Sequence, residues 1–507
     1  MRRTSESQDM TRILNLRMAV LAVIAGAALT GCAVGPDFRT PEAPGATAYT
    51  ATAMPPETAA SPGPGGAAQR LVPEEEIPAQ WWTLFHSAAL DQLVRQALAD
   101  NPTLAAAQAT LRQSQESLNA LFGSALFPRV DANASVSRQK ISGAAFSQPE
   151  AQFSPFTLYN ASVSVSYALD LFGGARRELE ALQSQVDFQR FQLEGAFLTL
   201  TSNVVTTAVK EASLRAQIRA TLEIAAAQEK QLDLVERQFQ LGGVARSDVL
   251  AQRVQLAQTR ATLPPLEKEL ALTRHQLAVL AGRLPGEAAA LPEFDLDGLE
   301  LPQQLPVSLP SSLVRQRPDI RASESLLHAA SAQVGVATAN LYPQLTLSGS
   351  YGSEAVKPGT LFSGGTAVWN LGAGLLQPLF HGGELSAKRR AAVAAYDQAA
   401  AQYRATVLQA FQNVADVLRA LDADARTLQA QADAEAAARD TLDLTQKQFQ
   451  LGAVSYLSLL NAERQYQQTR ISLVQAQAAR FADTAALFQA LGGGWWNREQ
   501  EEMRSTK

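Results

Sequence analysis

The feature that most constrains this chain is an internal repeat. Gln238-Phe239-Gln240-Leu241-Gly242 recurs 210 residues later as Gln448-Phe449-Gln450-Leu451-Gly452. At the same offset Leu232-Asp233-Leu234 returns as Leu442-Asp443-Leu444, and Thr259-Arg260 as Thr469-Arg470. Earlier in each copy, Leu126-Phe127-Pro128 matches Leu341-Tyr342-Pro343, and Leu171-Phe172-Gly173-Gly174 matches Leu379-Phe380-His381-Gly382-Gly383. Chance similarity in an Ala/Gln-rich helical chain does not place such matches in one order at a near-constant offset. The chain therefore holds two copies of one supersecondary unit.

Each copy reads as helix, two strands, long helix, tight turn, helix. Copy one, 81–283, has a helix near 90–125, strands near 129–138 and 157–171, and helices near 175–240 and 247–282. Copy two, 311–492, has a helix near 311–340, strands near 344–353 and 366–379, and helices near 384–450 and 456–491. Between them, 284–310 is Pro-rich, with Leu-Pro steps that break helix. Residues 493–507 form a short tail.

The strands alternate strictly. In the second, Tyr159, Ala161, Val163, Val165, Tyr167 and Leu169 share one face, while Asn160, Ser162, Ser164, Ser166 and Asp170 share the other. The first sets Val130, Ala132, Ala134 and Val136 against Asp131, Asn133, Ser135 and Ser137. Leu345 and Leu347 oppose Gln344, Thr346 and Ser348 in the third, and Trp369, Leu371, Ala373 and Leu375 align in the fourth. Period-two alternation over about ten residues, with Tyr and Trp on the apolar side, is the pattern of a transmembrane β-strand facing a wet lumen. Four such strands cannot close a barrel, and an open edge cannot sit in lipid. The chain must share a barrel with copies of itself: two chains give about eight strands and a filled lumen, three give about twelve and room for a pore.

The helices are too long for a globule. A helix over 175–240 reaches about 100 Å at roughly 1.5 Å per residue. Ile218, Ala225, Leu232 and Phe239 recur every seven positions, as do Val249, Leu256, Leu263, Leu270 and Leu277. Copy two shows Leu459, Tyr466, Leu473 and Leu487, with Arg480 as the break. Seven-residue periodicity demands a left-handed supercoil. Each returning helix has only about half the long helix's length, and stacking it end to end on the short helix before the strands makes up the rest. Pro264-Pro265 should bend the first returning helix.

At the N-terminus, Arg2, Arg3, Arg12 and Arg17 precede an apolar run from Met18 to Leu29. That run is too short for a bilayer of roughly 30 Å but fits an export signal over 1–31. Leu29-Thr30-Gly31-Cys32 resembles a bacterial lipobox, in which the cysteine becomes the acylated mature N-terminus. Cys32 is the only cysteine, so no intramolecular disulfide forms. Ala33, rather than Asp, follows it, which by resemblance to lipoprotein sorting favours the outer membrane. Residues 32–80, rich in Pro, Gly, Ala and Thr, read as a flexible tether, with folded structure beginning near Trp81-Trp82. The net charge of −5, without a basic tract, argues against nucleic acid. No later run is long and apolar enough for a transmembrane helix, so any spanning part must be β.

This layout, the lipobox, Trp81-Trp82, the stretch Val314-Arg315-Gln316-Arg317-Pro318-Asp319-Ile320-Arg321 and both Gln-Phe-Gln-Leu-Gly turns resemble the NodT-type outer-membrane lipoproteins of the TolC superfamily, from Cys32 to Gly492. The resemblance implies a mixed α/β membrane protein. In it, four transmembrane strands per protomer form a trimeric 12-stranded barrel, continued by a long α-helical coiled-coil periplasmic tunnel. It implies the outer membrane of a Gram-negative bacterium, a lipid anchor on Cys32, and passive conduction of small molecules (drugs, toxic compounds or metal ions). The implied partners are a homotrimer, a periplasmic adaptor and an inner-membrane pump of RND type.

By the same resemblance the turns at 241–247 and 451–457 form the periplasmic tip, where the pore shuts and the adaptor docks. The tip residues are then Gly242, Asp248, Gly452, Tyr456, Ser458 and Asn461. The second turn departs from the TolC pattern, since Ser458 and Asn461 stand where that protein has aspartates, so cation block at the tip should be weak. Asp248 has an equally good local explanation as a charge at a helix N-terminus. Replacing Asp248 and Asn461 together by Ala is expected to loosen the tip.

The chain shows no phosphate loop, zinc-helix motif or nucleophile elbow. His86, His275, His328 and His381 stand singly, and five Met with one acylated Cys make no copper cluster. No enzyme activity, metal or cofactor is expected beyond the covalent lipid. Two other functions fit the same layout. One is the outer-membrane conduit of a type I protein-secretion system; the other is a non-conducting coiled-coil scaffold, which the strand alternation disfavours.

Overall fold

A computed structural model describes residues 33–142 and 154–498. Cys32 and the signal segment lie outside the described residues, as do 499–507 of the tail. The chain divides into two compact units. The first contains 111–188 and 323–403 with the N-terminal residues up to Thr40; the second contains 41–110, 189–322 and the rest from Arg404.

In the first unit four strands form one antiparallel meander: β2 (Arg129–Gln139), β3 (Phe156–Leu169), β5 (Gln344–Ala355) and β6 (Ala367–Leu376), in the order β2-β3-β5-β6. The register aligns the apolar positions across all four strands. Val130 pairs with Val165, which pairs with Gly349, which pairs with Leu371. The next row runs Ala132, Val163, Tyr351, Trp369. The polar rows alternate with these, as in Asp131, Ser164, Ser350, Asn370. Through these rows one face is therefore apolar, and it is exposed there: Val130, Trp369 and Leu371 are 63%, 71% and 79% exposed. Within the described residues the outer edges of β2 and β6 carry no strand partner.

Two long helices, α3 (Gly174–Gln240) and α8 (Glu384–Gln450), contribute to both units and have the expected extents. The single helices expected near 90–125 and 311–340 are each two. α1 (Ala88–Asp100) stops at Asn101 before α2 (Pro102–Leu126), and α6 (Pro310–Gln316) stops at Arg317 before α7 (Pro318–Ala339). The cause is the same in both copies. Proline pushes the preceding residue into extended backbone, here ψ 120° at Asn101 and 126° at Arg317. Asn101 then caps α2, its Oδ1 accepting from the N–H groups of Thr103 at 2.9 Å and Leu104 at 3.2 Å. The first returning helix is interrupted at Thr262, giving α4 (Arg246–Ala261) and α5 (Leu263–Leu280), as Pro264-Pro265 require. α9 (Tyr456–Ala490) runs without a break.

The second unit is built around Trp81, Phe85, Leu90, Phe481 and Phe488, all buried. Trp81 stacks on Phe488 at 5.2 Å. Each such side chain contributes about 1.5–3 kcal/mol by leaving water.

The expectation of a flexible tether ending near Trp81 is corrected here. Residues well before Trp81 are docked on the second unit. β1 (Arg70–Pro73) pairs in parallel with β4 (Gln304–Val307). Gln69 is fully buried and donates from Nε2 to Pro302 O and Thr484 Oγ1, both at 2.9 Å. Arg480, the residue that interrupts the heptad, is also fully buried. It donates to Leu421 O, Gly65 O, Ala67 O and Thr58 Oγ1 at 3.0–3.4 Å. A Gly/Pro-rich segment makes no apolar core, but its carbonyls satisfy a buried guanidinium that would otherwise be costly there.

Candidate functional site

The two repeated turns lie in the second unit and share one geometry. After α3, Gly242 N–H donates to Phe239 O at 3.0 Å and Gly243 N–H to Gln238 O at 2.8 Å. After α8, Gly452 N–H donates to Phe449 O at 3.0 Å and Ala453 N–H to Gln448 O at 2.8 Å. These are the paired bonds of a left-handed helix C-cap. Gly242 and Gly452 sit at φ +74° and +73°, where a side chain would strain the backbone. The repeated Gln-Phe-Gln-Leu-Gly is thus a helix stop. It leaves Leu241 and Leu451 in water, 87% and 84% exposed.

The helices that follow start differently. Asp248 occupies the third position of α4 and its Oδ2 accepts from Ala245 N–H at 3.1 Å. At the matching position of α9, Ser458 N–H donates to Ser455 Oγ at 3.2 Å, and the two hydroxyls lie 3.0 Å apart. Asp248 and Ser458 therefore both serve helix capping, with the Asp248 carboxylate also favoured by the helix dipole. Asn461 is exposed and takes part in none of these bonds.

Tyr456 is the site residue that joins the two hairpins. It is buried, its ring lies 5.5 Å from Phe449, and its hydroxyl donates to Gln252 Oε1. Gln252, fully buried on α4, also donates from Nε2 to Gln228 O of α3 at 3.1 Å. Burial, together with the negative charges of Glu463 and Asp248, holds the Tyr456 phenol well above its ordinary pKa. Asp248 and Tyr456 are thus brought into one electrostatic environment.

Below them the α4–α9 seam continues as a polar ladder. Arg464 Nε donates to Gln255 Oε1 at 2.6 Å, and Thr259 Oγ1 to Gln467 Oε1 at 3.3 Å. An apolar cluster of Val235, Val249, Leu459 and Leu460 packs around Tyr456.

The seam holds two groups that sequence reasoning missed, Gln252 and Glu463. Glu463 is only 6% exposed, and its Oε2 lacks a hydrogen-bond partner. Burial lifts its carboxyl to about 7, against the opposing hydrogen bond from Gln252. With Gln228, Tyr466 and Arg470 it lines a cavity of about 180 Å³. Three-residue spacing from Val249 puts Gln252 on the buried face of α4, and that spacing was the available signal.

The histidines are apart from this site: His86 faces Glu300 at 3.2 Å and His328 faces Glu180 at 2.9 Å. Among the described residues no group of three His, Cys, Asp or Glu could hold a metal ion, and no helix is long and apolar enough to cross a membrane.

A family model described as "Outer membrane efflux protein" matches residues 93–283 and 309–493. The chain is 34% identical over 429 residues to the pyoverdine export outer membrane protein OpmQ of Pseudomonas aeruginosa, covering 83% of this chain and 88% of that protein. It is 27% identical over 416 residues to the probable outer membrane lipoprotein SilC of Salmonella typhimurium, covering 82% and 88%. The solved outer-membrane channel OprN superposes with a TM-score of 0.82 at 29% identity, covering 92% of this chain and all of that one. The helix-strand-strand-helix-helix unit, its duplication and the matched spans agree: this chain belongs to the outer membrane efflux protein family.

Proposed function

We propose that the chain is one third of the outer-membrane exit duct of a tripartite efflux pump, passively conducting small molecules from the periplasm to the exterior. The observation that supports this most is the sheet. Its apolar face is in register across four strands and exposed, and its two edge strands are unpaired among the described residues. In lipid an open edge costs several kcal/mol per unsatisfied backbone group, so β6 of one protomer pairs with β2 of the next. Three protomers then supply about twelve strands and a water-filled lumen. Detergent-extracted protein should have the mass of a trimer and form pores in planar bilayers. A monomeric mass with intact β signal in circular dichroism would sink the shared barrel.

The exposed ends of the hairpins support a partner at this tip. Leu241 and Leu451, held out by the glycine turns, are apolar knobs that a periplasmic adaptor would cover. The adaptor would couple the duct to an inner-membrane pump, of RND type by the resemblance. Asp248, Tyr456, Ser458 and Asn461, with Gly242 and Gly452, belong to this tip. Within it the Tyr456–Gln252 bond is the contact that holds the closed arrangement. Cys32 carries the acyl chains; Cys32→Ser should abolish incorporation of labelled fatty acid, and retained label would refute the lipobox.

A further inference from the structure

The cavity beside Glu463 is furnished more richly than the seam requires. It encloses about 180 Å³ between α3, α8 and α9, whereas a single water needs only about 10–15 Å³. Three buried polar atoms of its lining residues lack a hydrogen-bond partner: Glu463 Oε2 and both amide atoms of Gln228, Oε1 and Nε2. Glu463 and Gln228 are 6% and 2% exposed. The Gln228 backbone carbonyl is already taken by Gln252, so what stands open is the side chain. Glu223 and Ala227, one turn apart on α3, also line the cavity and are exposed, which marks its mouth. Buried polar groups are normally paired, so three unpaired ones around one cavity call for a guest.

The three atoms specify that guest. Glu463 Oε2 and Gln228 Oε1 accept, and so require N–H or O–H donors; Gln228 Nε2 donates, and so requires an oxygen. The charges fix the sign of the donor. Glu463 and Glu223 are acidic, and the cation on this lining, Arg470, lies 3.8 Å from Glu435 of α8. An ammonium fits such a lining and a second carboxylate does not. Ala220, Ile224 and Leu442 supply apolar wall for a short carbon stem. A few convergent polar groups set in apolar wall are the usual make-up of a small-molecule site.

We propose that this cavity binds a small amino alcohol, its ammonium donating to Glu463 Oε2 and Gln228 Oε1 and its hydroxyl accepting from Gln228 Nε2, and that the bound guest, by tying α9 to α3, favours the closed seam. The effect on closure rests on the reading that this seam holds the tip shut; the binding itself does not.

Binding is coupled to a proton. The guest needs the ionised Glu463 carboxylate, whose pKa burial lifts to about 7 against the opposing hydrogen bond from Gln252 of α4. The other titratable or charged groups around it are Glu223 of α3, Glu435 of α8, and Tyr456, Tyr466 and Arg470 of α9. Near pH 7, binding should therefore send roughly half a proton per site from Glu463 to the buffer. An ordinary exposed carboxylate, already ionised at that pH, would release none.

The test is calorimetric titration of the detergent-extracted, full-length protein with ethanolamine at pH 8. Propylamine, which lacks the oxygen, and tetramethylammonium, which lacks the N–H donors, should each bind about tenfold more weakly or worse. Glu463→Gln and Gln228→Leu should each weaken ethanolamine binding by about tenfold or more. Ala227→Phe should block entry from an exposed position without altering either polar group. Buffers of different ionisation enthalpy at pH 7 should reveal the released proton.

Absence of saturable heat, equal affinity for the three amines, no released proton, or affinity unchanged by Gln228→Leu and Ala227→Phe would overturn the site. In planar bilayers at pH 8, ethanolamine should lower the wild-type current several-fold and leave Ala227→Phe unaffected. Saturable binding without that fall in current would overturn the link to closure and leave the binding site standing.

Discussion

Tyr456→Phe should raise the current through trimers in planar bilayers by at least several-fold over wild type at equal insertion, and cells carrying it should admit large antibiotics such as vancomycin. The hydroxyl it removes is the donor to Gln252 Oε1, between two residues that are 6% and 0% exposed. The packing of Phe449 and Leu459 around the ring is retained, so the change isolates the hydrogen bond. Leaving Gln252 Oε1 buried and unpaired costs about 1–3 kcal/mol per protomer. Around a threefold ring that sums to several kcal/mol, enough to move a closed population toward open by one to several factors of about ten.

The compensating change makes the argument sharp. Replacing both partners, Tyr456→Phe with Gln252→Leu, removes the orphan and should return conductance most of the way to wild type. Asp248→Ala should have a smaller effect, because it removes a helix-capping acceptor worth about 1 kcal/mol. Asn461→Ala should have none, since the side chain is exposed and outside the seam. If Tyr456→Phe and Asn461→Ala conduct alike, the seam does not hold the tip closed.

That ordering reverses the emphasis of the sequence reading, and the reason is physical. Strand positions were legible because a sheet with one lipid face and one wet face writes its period into every second residue. The ends of α3 and α8 were legible because a left-handed stop needs Gly242 and Gly452. The partners of a buried polar side chain have no such local signature. Gln252 and Gln228 pair across two helices whose rotational register no single helix determines, and Glu463 differs from the many exposed glutamates only in what covers it.

Arg480 shows the same limit from another side. It appears in the sequence as a fault in a heptad, and it becomes intelligible only with the carbonyls of Gly65 and Ala67 around it. Those carbonyls belong to a segment whose composition suggests a loose tether. The breaks at Asn101 and Arg317 were legible in principle, since both precede proline, but apolar periodicity on either side masked them.

Glu463 leads to the second large effect, a dependence of tip closure on pH with a definite sign. Its carboxyl is held at about 7 in the closed seam, against an ordinary value of 4.5. Separating the hairpins would expose it and restore the ordinary value. A group whose closed-state pKa is raised contributes its full stabilisation below the open-state value and loses it as pH rises through the closed-state value. Closure should therefore be firmest below about pH 4.5, weaken between there and about 7, and level off above. The shift corresponds to about 3 kcal/mol per protomer at most, one pKa unit being about 1.4 kcal/mol.

The charged groups lining the cavity with Glu463 are Glu223 of α3 and Arg470 of α9, while α8 contributes Leu442 and Gln446. Arg470 faces Glu435 at 3.8 Å, and the shift of Glu463 comes from burial against the opposing hydrogen bond of Gln252. Glu463→Gln keeps the shape and removes the proton equilibrium. Wild-type conductance should climb as pH is raised from 5 to 8, while the Glu463→Gln channel should stay low and flat across that interval. A wild-type channel equally closed at both ends of the interval would show that the carboxyl stays buried, or stays neutral, whatever the tip does. The same measurement on Tyr456→Phe adds a second requirement. Its seam is already loosened and its carboxyl already nearer water, so its pH dependence should shrink as its conductance grows.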